Sequence, residues 1–257
     1  MNKTTIDGLN QLNKDFYNIV AENFNTSRNF FWQGWTEVSK QIKNQFADKK
    51  IRVLDIGCGN GRFAQFLEEE KINFEYYGLD SSKKLLNLAS KQVSLETKTT
   101  FLELDLINSL QNNDFSQFLQ KNNIENKFDL IVSFGVLHHI PSFELRKGFF
   151  KLISENLNEN GLSVVTAWLF LDNPKLKERL ISFESLDNPN IDLNEIEEND
   201  YLLDWKRGTQ AIRYCHYTDK EEMNKLTKDI NLDLIKTYQA DSKTNNLNQY
   251  YLFKNRK

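Results

Sequence analysis

Val53-Leu54-Asp55-Ile56-Gly57-Cys58-Gly59-Asn60-Gly61-Arg62 decides how the rest of the chain is read. An apolar strand, Ile51 to Leu54 with only Arg52 interrupting it, runs into Asp55. Three glycines at alternate positions follow, then a helix pattern with Phe63, Phe66 and Leu67 on one face. Glycines let backbone lie against a ligand where a Cβ would collide. The start of the next helix offers unpaired N–H groups and a positive dipole end. The order Asp-x-Gly-x-Gly-x-Gly departs from the dinucleotide pattern G-x-G-x-x-G, and no Gly-Lys-Ser/Thr completes a phosphate loop. An acid ahead of the glycines suits a cationic ligand that carries no phosphate. Such a loop can also be only a tight strand-to-helix turn, so the flanking elements have to decide.

Those elements alternate. Leu9, Leu12, Phe16, Val20 and Phe24 mark an amphipathic helix over 9–24, which Asn25-Thr26-Ser27 breaks. Phe31, Trp35, Val38, Ile42 and Phe46 mark a second helix. After the glycine loop, strands are expected at Phe74–Leu79 (ending at Asp80), Thr99–Leu104 (ending at Asp105), Phe128–Phe134 and Leu162–Ala167 (ending at Trp168). Helices are expected to about Glu70, over Lys83–Lys91, and through Leu145, Phe149, Leu152 and Leu157, the last closed by Gly161 at its C-terminal cap. Residues 107–127 read as a polar, short helical insertion. Residues 170–204 show no strand period and read as a loop-like acidic insertion over the sheet. Asp219–Lys228 reads as helical. Leu232–Ala240 and Asn248–Phe253 read as a closing antiparallel hairpin.

The pattern predicts an α/β fold: a doubly wound, Rossmann-like, seven-stranded sheet, mostly parallel, with an antiparallel C-terminal hairpin and added N-terminal helices. One domain over 1–257 is expected, with a helical cap at 1–50, a ligand-binding core at 51–168, an insertion or lid at 169–212, and sheet-closing elements at 213–257. Ligands in such sheets lie beyond the carboxyl ends of the strands. Asp55, Asp80, Asp105, the His138–His139 pair and Trp168 all fall at such ends.

Composition narrows the class. Hydrophobic residues make up 39% of the 257, enough for a core of one ordinary domain. No apolar run reaches membrane-span length and no signal-peptide core is visible, so a cytoplasmic protein is expected. Two cysteines, Cys58 and Cys215, make neither a disulfide framework nor a zinc quartet. The three histidines, His138, His139 and His216, lack supporting metal-ligand spacing, so no metal is expected. The net charge of −3 excludes a freely basic nucleic-acid binder, and a nucleic-acid partner would need a local basic face.

Val53 to Arg62, Tyr77-Gly78-Leu79-Asp80, Phe128 to Pro141 and Gly161 to Trp168 together resemble a class I S-adenosyl-L-methionine (SAM)-dependent methyltransferase, over about residues 51–168. SAM, with an ammonium, a sulfonium and a ribose, is also the cationic ligand the loop suits. The resemblance implies that Asp55, Gly57 and Gly59 hold its methionine end, Asp80 its ribose and Asp105 its adenine. Cys58, Ser81, Leu106 and Ser133 are expected in the same cofactor site. A narrower resemblance runs in order along nearly the whole chain. Phe24-Asn25-Thr26-Ser27-Arg28 with Trp32, Ser133 to His139, Ala167-Trp168, Asp200 to Lys206, and Arg213-Tyr214-Cys215-His216-Tyr217 resemble segments of the tRNA wobble-uridine carboxymethyl methyltransferases. In animals one branch of these is fused to an AlkB-like tRNA hydroxylase. The chain departs from that family's pattern after Asp105, after His139 and after His216. The resemblance implies a tRNA partner and, in eukaryotes, a small zinc-binding activator subunit.

The chemistry asked of such a site is modest. A carboxylate acceptor is already ionised at pH 7 and needs no general base, so alignment dominates. Arg28 and Arg213 are candidate carboxylate forks. Trp168, Tyr214 and Tyr217 are candidate stacking groups for a base. One of His138 and His139 is expected to position the acceptor while the other points away. Trp32, Trp35 and Trp205 are expected to pack in the core or lid. The absence of any Pro-Pro counts against an exocyclic-nitrogen base methylase. Two other readings stay open: a methyltransferase of a small carboxylate metabolite, and a non-catalytic SAM-binding scaffold.

Overall fold

The structure is a computed structural model that describes residues 1–26, 30–94, 98–125, 127–205 and 211–256, with 21–26 as backbone. Helix α1 (Lys3–Thr26) comes first and is longer than its stripe predicted. It buries Ile6, Leu9, Phe16 and Val20. Helix α2 (Trp35–Phe46) starts four residues after Phe31 because Trp32-Gln33-Gly34 forms a turn, Trp35 N–H donating to Trp32 C=O at 3.1 Å.

The core then alternates as expected: β1 (Ile51–Ile56), α3 (Arg62–Glu69), β2 (Phe74–Asp80), α4 (Lys83–Gln92) and β3 (Thr99–Glu103). The polar insertion is two short helices, α5 (Leu106–Asn112) and α6 (Phe115–Lys121), held by buried Ile107, Phe115 and Leu119. Then come β4 (Phe128–Ser133), α7 (Phe143–Asn156) and β5 (Leu157–Trp168). Gly161 does not cap α7, which ends at Asn156 and passes directly into β5. Instead it lies where the β4–β5 pairing slips between Phe128 and Leu130. A Cβ there would sit 3.0 Å from the Asn158 carbonyl oxygen and 3.2 Å from that of Asp129.

Residues 170–204 are more structured than their composition suggests. A short helix α8 (Pro174–Lys177) leads to β6 (Leu180–Ile181) and β7 (Asp200–Asp204). These pair antiparallel with β8 (Ile212–His216) in a separate three-stranded sheet, in the order β6-β7-β8. Leu202 packs toward Leu9 and Tyr214, while Leu203 packs toward Phe170 and Cys215. A strand covered on both faces has no polar alternation to read, which is why the period was missing. Helix α9 (Lys220–Thr227), β9 (Leu232–Ala240) and β10 (Asn248–Asn255) complete the chain.

The main sheet runs β3-β2-β1-β4-β5-β10-β9. Strands β1 to β5 are mutually parallel, and β10 pairs antiparallel with both β5 and β9. This is the expected seven-stranded Rossmann-like sheet with its antiparallel C-terminal pair. Both faces are buried: Leu54 and Ile56 join a core with Phe149 and Phe150, and Val53 joins another with Trp35 and Phe63. Each such side chain contributes about 1.5–3 kcal/mol when fully buried. Among the described residues, no helix is long and apolar enough to cross a membrane.

Candidate active site

A cavity of about 740 Å³ opens at the carboxyl ends of β1 to β5, under α1 and the small sheet. Asp55, Gly57, Cys58, Gly59, Asp80, Ser81, Asp105, Leu106, His138, His139, Trp168 and Arg213 all line it. Arg28 lies outside the described residues.

The glycine loop is shaped by sterics. Gly57 has φ +80, and a Cβ on it would lie 2.2 Å from Val136 Cγ2. Gly59 has φ +55, yet a Cβ there would meet nothing within 4 Å, so the space beside it is open. Asp80 ties the loop to α4, its two oxygens accepting from Gly59 N–H at 2.9 Å and Ser82 N–H at 2.8 Å. Burial pushes its carboxyl above the ordinary range, against those backbone bonds. Asp55 is more demanding. Its Oδ2 accepts from the Tyr76 hydroxyl, while its buried Oδ1 has no partner. Burial raises its pKa to about 7, opposed by the Tyr76 bond. A buried carboxylate oxygen without a donor, beside an open glycine backbone, fits the ammonium of a SAM methionine end.

Two cofactor assignments change. Ser133 is fully buried, does not line the cavity, and donates from Oγ to the Ile56 carbonyl at 3.0 Å, fastening β4 to β1. Asp105 lines the cavity, but protein donors already occupy its carboxylate. Lys14 Nζ reaches Oδ2 at 2.7 Å, Asn10 Nδ2 lies 3.0 and 3.1 Å from the two oxygens, and Asn108 N–H donates to Oδ1 at 3.1 Å. Burial raises its carboxyl, and Lys14 with the other donors brings it net below the ordinary value. The cause is α1, which crosses this rim and brings its own polar face to Asp105.

The opposite end is aromatic and cationic. Residues Leu137–His139 form a 3-10 turn, which places both histidines on the cavity, where a regular turn would have pointed one away. Their rings lie 4.0 Å apart, and His138 is 5.0 Å from Trp168. His139 is clamped: Nε2 meets the Tyr17 hydroxyl at 2.7 Å, and Nδ1 lies 3.0 Å from the Tyr214 carbonyl and 3.2 Å from Asn13 Nδ2. Arg213 is only 9% exposed, its guanidinium 4.5 Å from the Trp168 ring centre and 5.0 Å from that of Phe16. Among the described residues its side chain makes no hydrogen bond and no ion pair, while its backbone pairs with Leu203.

Tyr214 and Tyr217 are not stacking groups for a ligand, since neither lines the cavity. Tyr214 is fully buried with its hydroxyl on Asp200 at 2.6 Å, and Tyr217 packs edge-on to Phe170 and bonds Asp172. Trp35 is buried in the core, and Trp32, Trp35 and Trp205 all border the cavity. Asn13, Tyr17 and Arg179 line it too, and sequence reasoning missed them. The α1 stripe was readable as core, but not that its flank would roof a cavity. His138, His139 and Cys215 bring ligand atoms within 4.8 Å of one another. Burial pushes the Cys215 thiol up to about 12, so in the metal-free protein it is protonated.

The family model described as "methyltransferase domain" matches residues 32–237. This chain belongs to the methyltransferase domain family. Its domain is accordingly of the SAM-dependent kind. A carboxy-S-adenosyl-L-methionine synthase of Campylobacter hominis is 25% identical over 146 residues, 56% of each chain. The chain spans about half the length of the first curated relatives it matches. In fold it is similar to the crystal structure of a SAM-dependent methyltransferase from Clostridium acetobutylicum (TM-score 0.62, 17% identity, covering 93% of this chain and 98% of that one). It is also similar to magnesium protoporphyrin IX methyltransferase from Synechocystis with bound S-adenosylhomocysteine (TM-score 0.58, 14% identity, covering 87% and 82%).

Proposed function

We propose that this protein transfers the SAM methyl group to a carboxylate, and that the acceptor is a carboxymethyl group on a tRNA wobble uridine. The observation that carries the carboxylate is Arg213. A guanidinium held nearly dry between two aromatic faces, with no carboxylate of the described residues paired to it, is poised for an anionic ligand. The uridine follows from the ordered resemblance of the segments around His138, Trp168 and Arg213, and from the flat Trp168 ring beside that guanidinium.

SAM supplies an electrophilic methyl on a sulfonium. Asp55 and the Gly57–Gly59 backbone hold the methionine end, and Asp80 keeps lone pairs free for ribose hydroxyls. Arg213 aligns the acceptor carboxylate, and Trp168 with His138 forms the wall against which its base rests. An oxygen–carbon bond forms as the carbon–sulfur bond breaks, its electron pair staying on sulfur. The products are a methyl ester and S-adenosylhomocysteine (SAH). No proton moves, so the clamped His139 is not needed as a base and serves as a wall. The test is nucleoside mass spectrometry of hypomodified tRNA incubated with protein and SAM, with a known enzyme as positive control. A gain of one methyl on the wobble nucleoside is expected, and no gain sinks the tRNA reading. A small carboxylate metabolite is the second reading, favoured by the net charge of −3. Turnover of free acids with none on tRNA would establish it.

A further inference from the structure

Behind the acceptor wall, outside the cavity, lies a buried ionic cluster that the methyl transfer does not use. Arg146 on α7 is 1% exposed. Its Nε donates to Glu222 Oε1 at 2.8 Å, one terminal nitrogen to Glu197 Oε2 at 2.9 Å, and the other to the Ile140 carbonyl at 3.1 Å. His216 on β8, 2% exposed, lies between two carboxylates, with Nδ1 2.7 Å from Asp200 Oδ1 and Nε2 2.6 Å from Glu222 Oε2. Asp200 also accepts from the Tyr214 hydroxyl at 2.6 Å and from Glu197 N–H at 2.9 Å. Glu197 in turn accepts from Phe143 N–H at 2.9 and 3.0 Å, and so caps α7, whose own N-cap Ser142 makes no side-chain bond.

Each link ends on the acceptor wall. Ile140, whose carbonyl Arg146 holds, closes the turn that carries His138 and His139 by donating its N–H to the Leu137 carbonyl at 3.1 Å. Tyr214, held at its hydroxyl by Asp200, offers its carbonyl to His139 Nδ1 and its N–H to Asn13 of α1 at 2.9 Å. Arg213 is its chain neighbour. The cluster thus joins the small sheet to α7 and α9 and sets the turn and β8 relative to each other.

We propose that the Arg146–His216 cluster is the positioning device of the acceptor wall, and that it holds only while His216 carries protons on both ring nitrogens. The requirement is geometric. Both nitrogens face carboxylate oxygens, which only accept, so a neutral ring would set one lone pair against a carboxylate. The same two contacts leave His216 no nitrogen for a metal, although Glu197, Asp200 and His216 stand close together. The groups facing His216 are Asp200 from β7, Glu222 from α9, Arg146 from α7, Tyr214 from its own strand, and Glu197 from the preceding loop. Burial and Arg146 oppose its charge, but the bonds to Asp200 and Glu222 outweigh them and its pKa is raised. The stabilisation is therefore complete below the ordinary histidine value of about 6.5 and is lost as pH rises through the higher folded value.

That Arg213 and the histidines contact the acceptor rests on the proposed function, so the first test contains no acceptor. With only three histidines in the chain, ¹⁵N-histidine NMR resolves each ring. His216 is expected doubly protonated at pH 7 and titrating above about 6.5, with the His139 signals moving at the same midpoint. Glu222→Gln keeps an acceptor at Nε2 but removes one charge. It should lower that midpoint by about one unit or more, with His139 following. SAH affinity should stay within twofold. A neutral His216 at pH 7, or His139 signals indifferent to its titration, would overturn the proposal, and the wild-type titration decides this without any variant. With tRNA as acceptor, kcat/KM should fall at alkaline pH with the midpoint read by NMR and shift with it in Glu222→Gln. A falling limb that stays put in the variant also overturns it.

Discussion

Arg213→Met separates a binding arginine from a structural one. Methionine keeps an unbranched, polarizable side chain between Phe16 and Trp168 but removes the charge and all donors. If Arg213 holds the acceptor carboxylate in this nearly dry pocket, losing one partner of a buried charge pair costs about 2–5 kcal/mol. At about 1.4 kcal/mol per tenfold, acceptor kcat/KM falls by roughly 30-fold to a few thousandfold. The free protein should respond in the opposite direction. It loses two cation–π contacts of about 0.5–2 kcal/mol each. It is also relieved of a desolvated cation that no described residue pairs, whose penalty is on the order of several kcal/mol. The expected Tm is unchanged or a few degrees higher. The assays are initial rates of labelled-methyl incorporation, calorimetric SAH binding, and a thermal scan of the apo protein. A loss under threefold in acceptor kcat/KM, an equal loss of SAH affinity, or a Tm several degrees lower would each refute the reasoning.

Four further outcomes follow from the cofactor half. Asp55 sits near pKa 7 in the free protein, and a ligand ammonium stabilises its ionised form. SAM or SAH binding should therefore release a proton and strengthen from pH 5 to 7 by up to about tenfold per unit, and calorimetry in buffers of different ionisation enthalpy would show it. The raised pKa also means that Asp55 makes the apo protein less stable as pH rises from about 4 to 7, a slope that Asp55→Asn should flatten. Gly57→Ala places a Cβ 2.2 Å from Val136 at positive φ, and should cost about 1–3 kcal/mol in denaturant unfolding and weaken SAH binding. Ser133→Ala should leave SAH affinity within twofold while costing about 1–2 kcal/mol, because the buried Ile56 carbonyl loses its donor. A tenfold loss of SAH affinity would return Ser133 to the cofactor site.

What was legible in the chain, and what was not, follows from how far apart in sequence the contacts lie. The parallel strands announce themselves because burial on both faces makes short apolar runs such as Val53-Leu54 in β1 and Leu130 to Val132 in β4. The loop chemistry is local, so Asp55 and its glycines could be read directly. The small sheet was hidden by the same burial that revealed the large one. Leu202 and Leu203 are both inside, in an acidic segment whose partner strand lies beyond it. Asp105 and Ser133 stand at the expected strand ends, but their atoms answer to distant groups. α1 brings Lys14 and Asn10 to the first, and β1 brings the Ile56 carbonyl to the second. Tyr214 has the residue type of a stacking group, yet strand alternation turns it away from the cavity and Arg213 toward it. A one-residue difference in facing divides a candidate acceptor contact from a member of the ionic cluster.

In the proposed reaction the methyl group lands on a carboxylate. The most direct measurement uses SAM carrying a labelled methyl group, hypomodified tRNA and this protein, followed by mild alkali on the recovered RNA. A methyl ester is hydrolysed under those conditions, so label is expected on the RNA before treatment and in released methanol after it. Label that enters the RNA and survives alkali would place the methyl on nitrogen, carbon or a ribose hydroxyl, and would contradict the assignment of Arg213 as the carboxylate-holding residue.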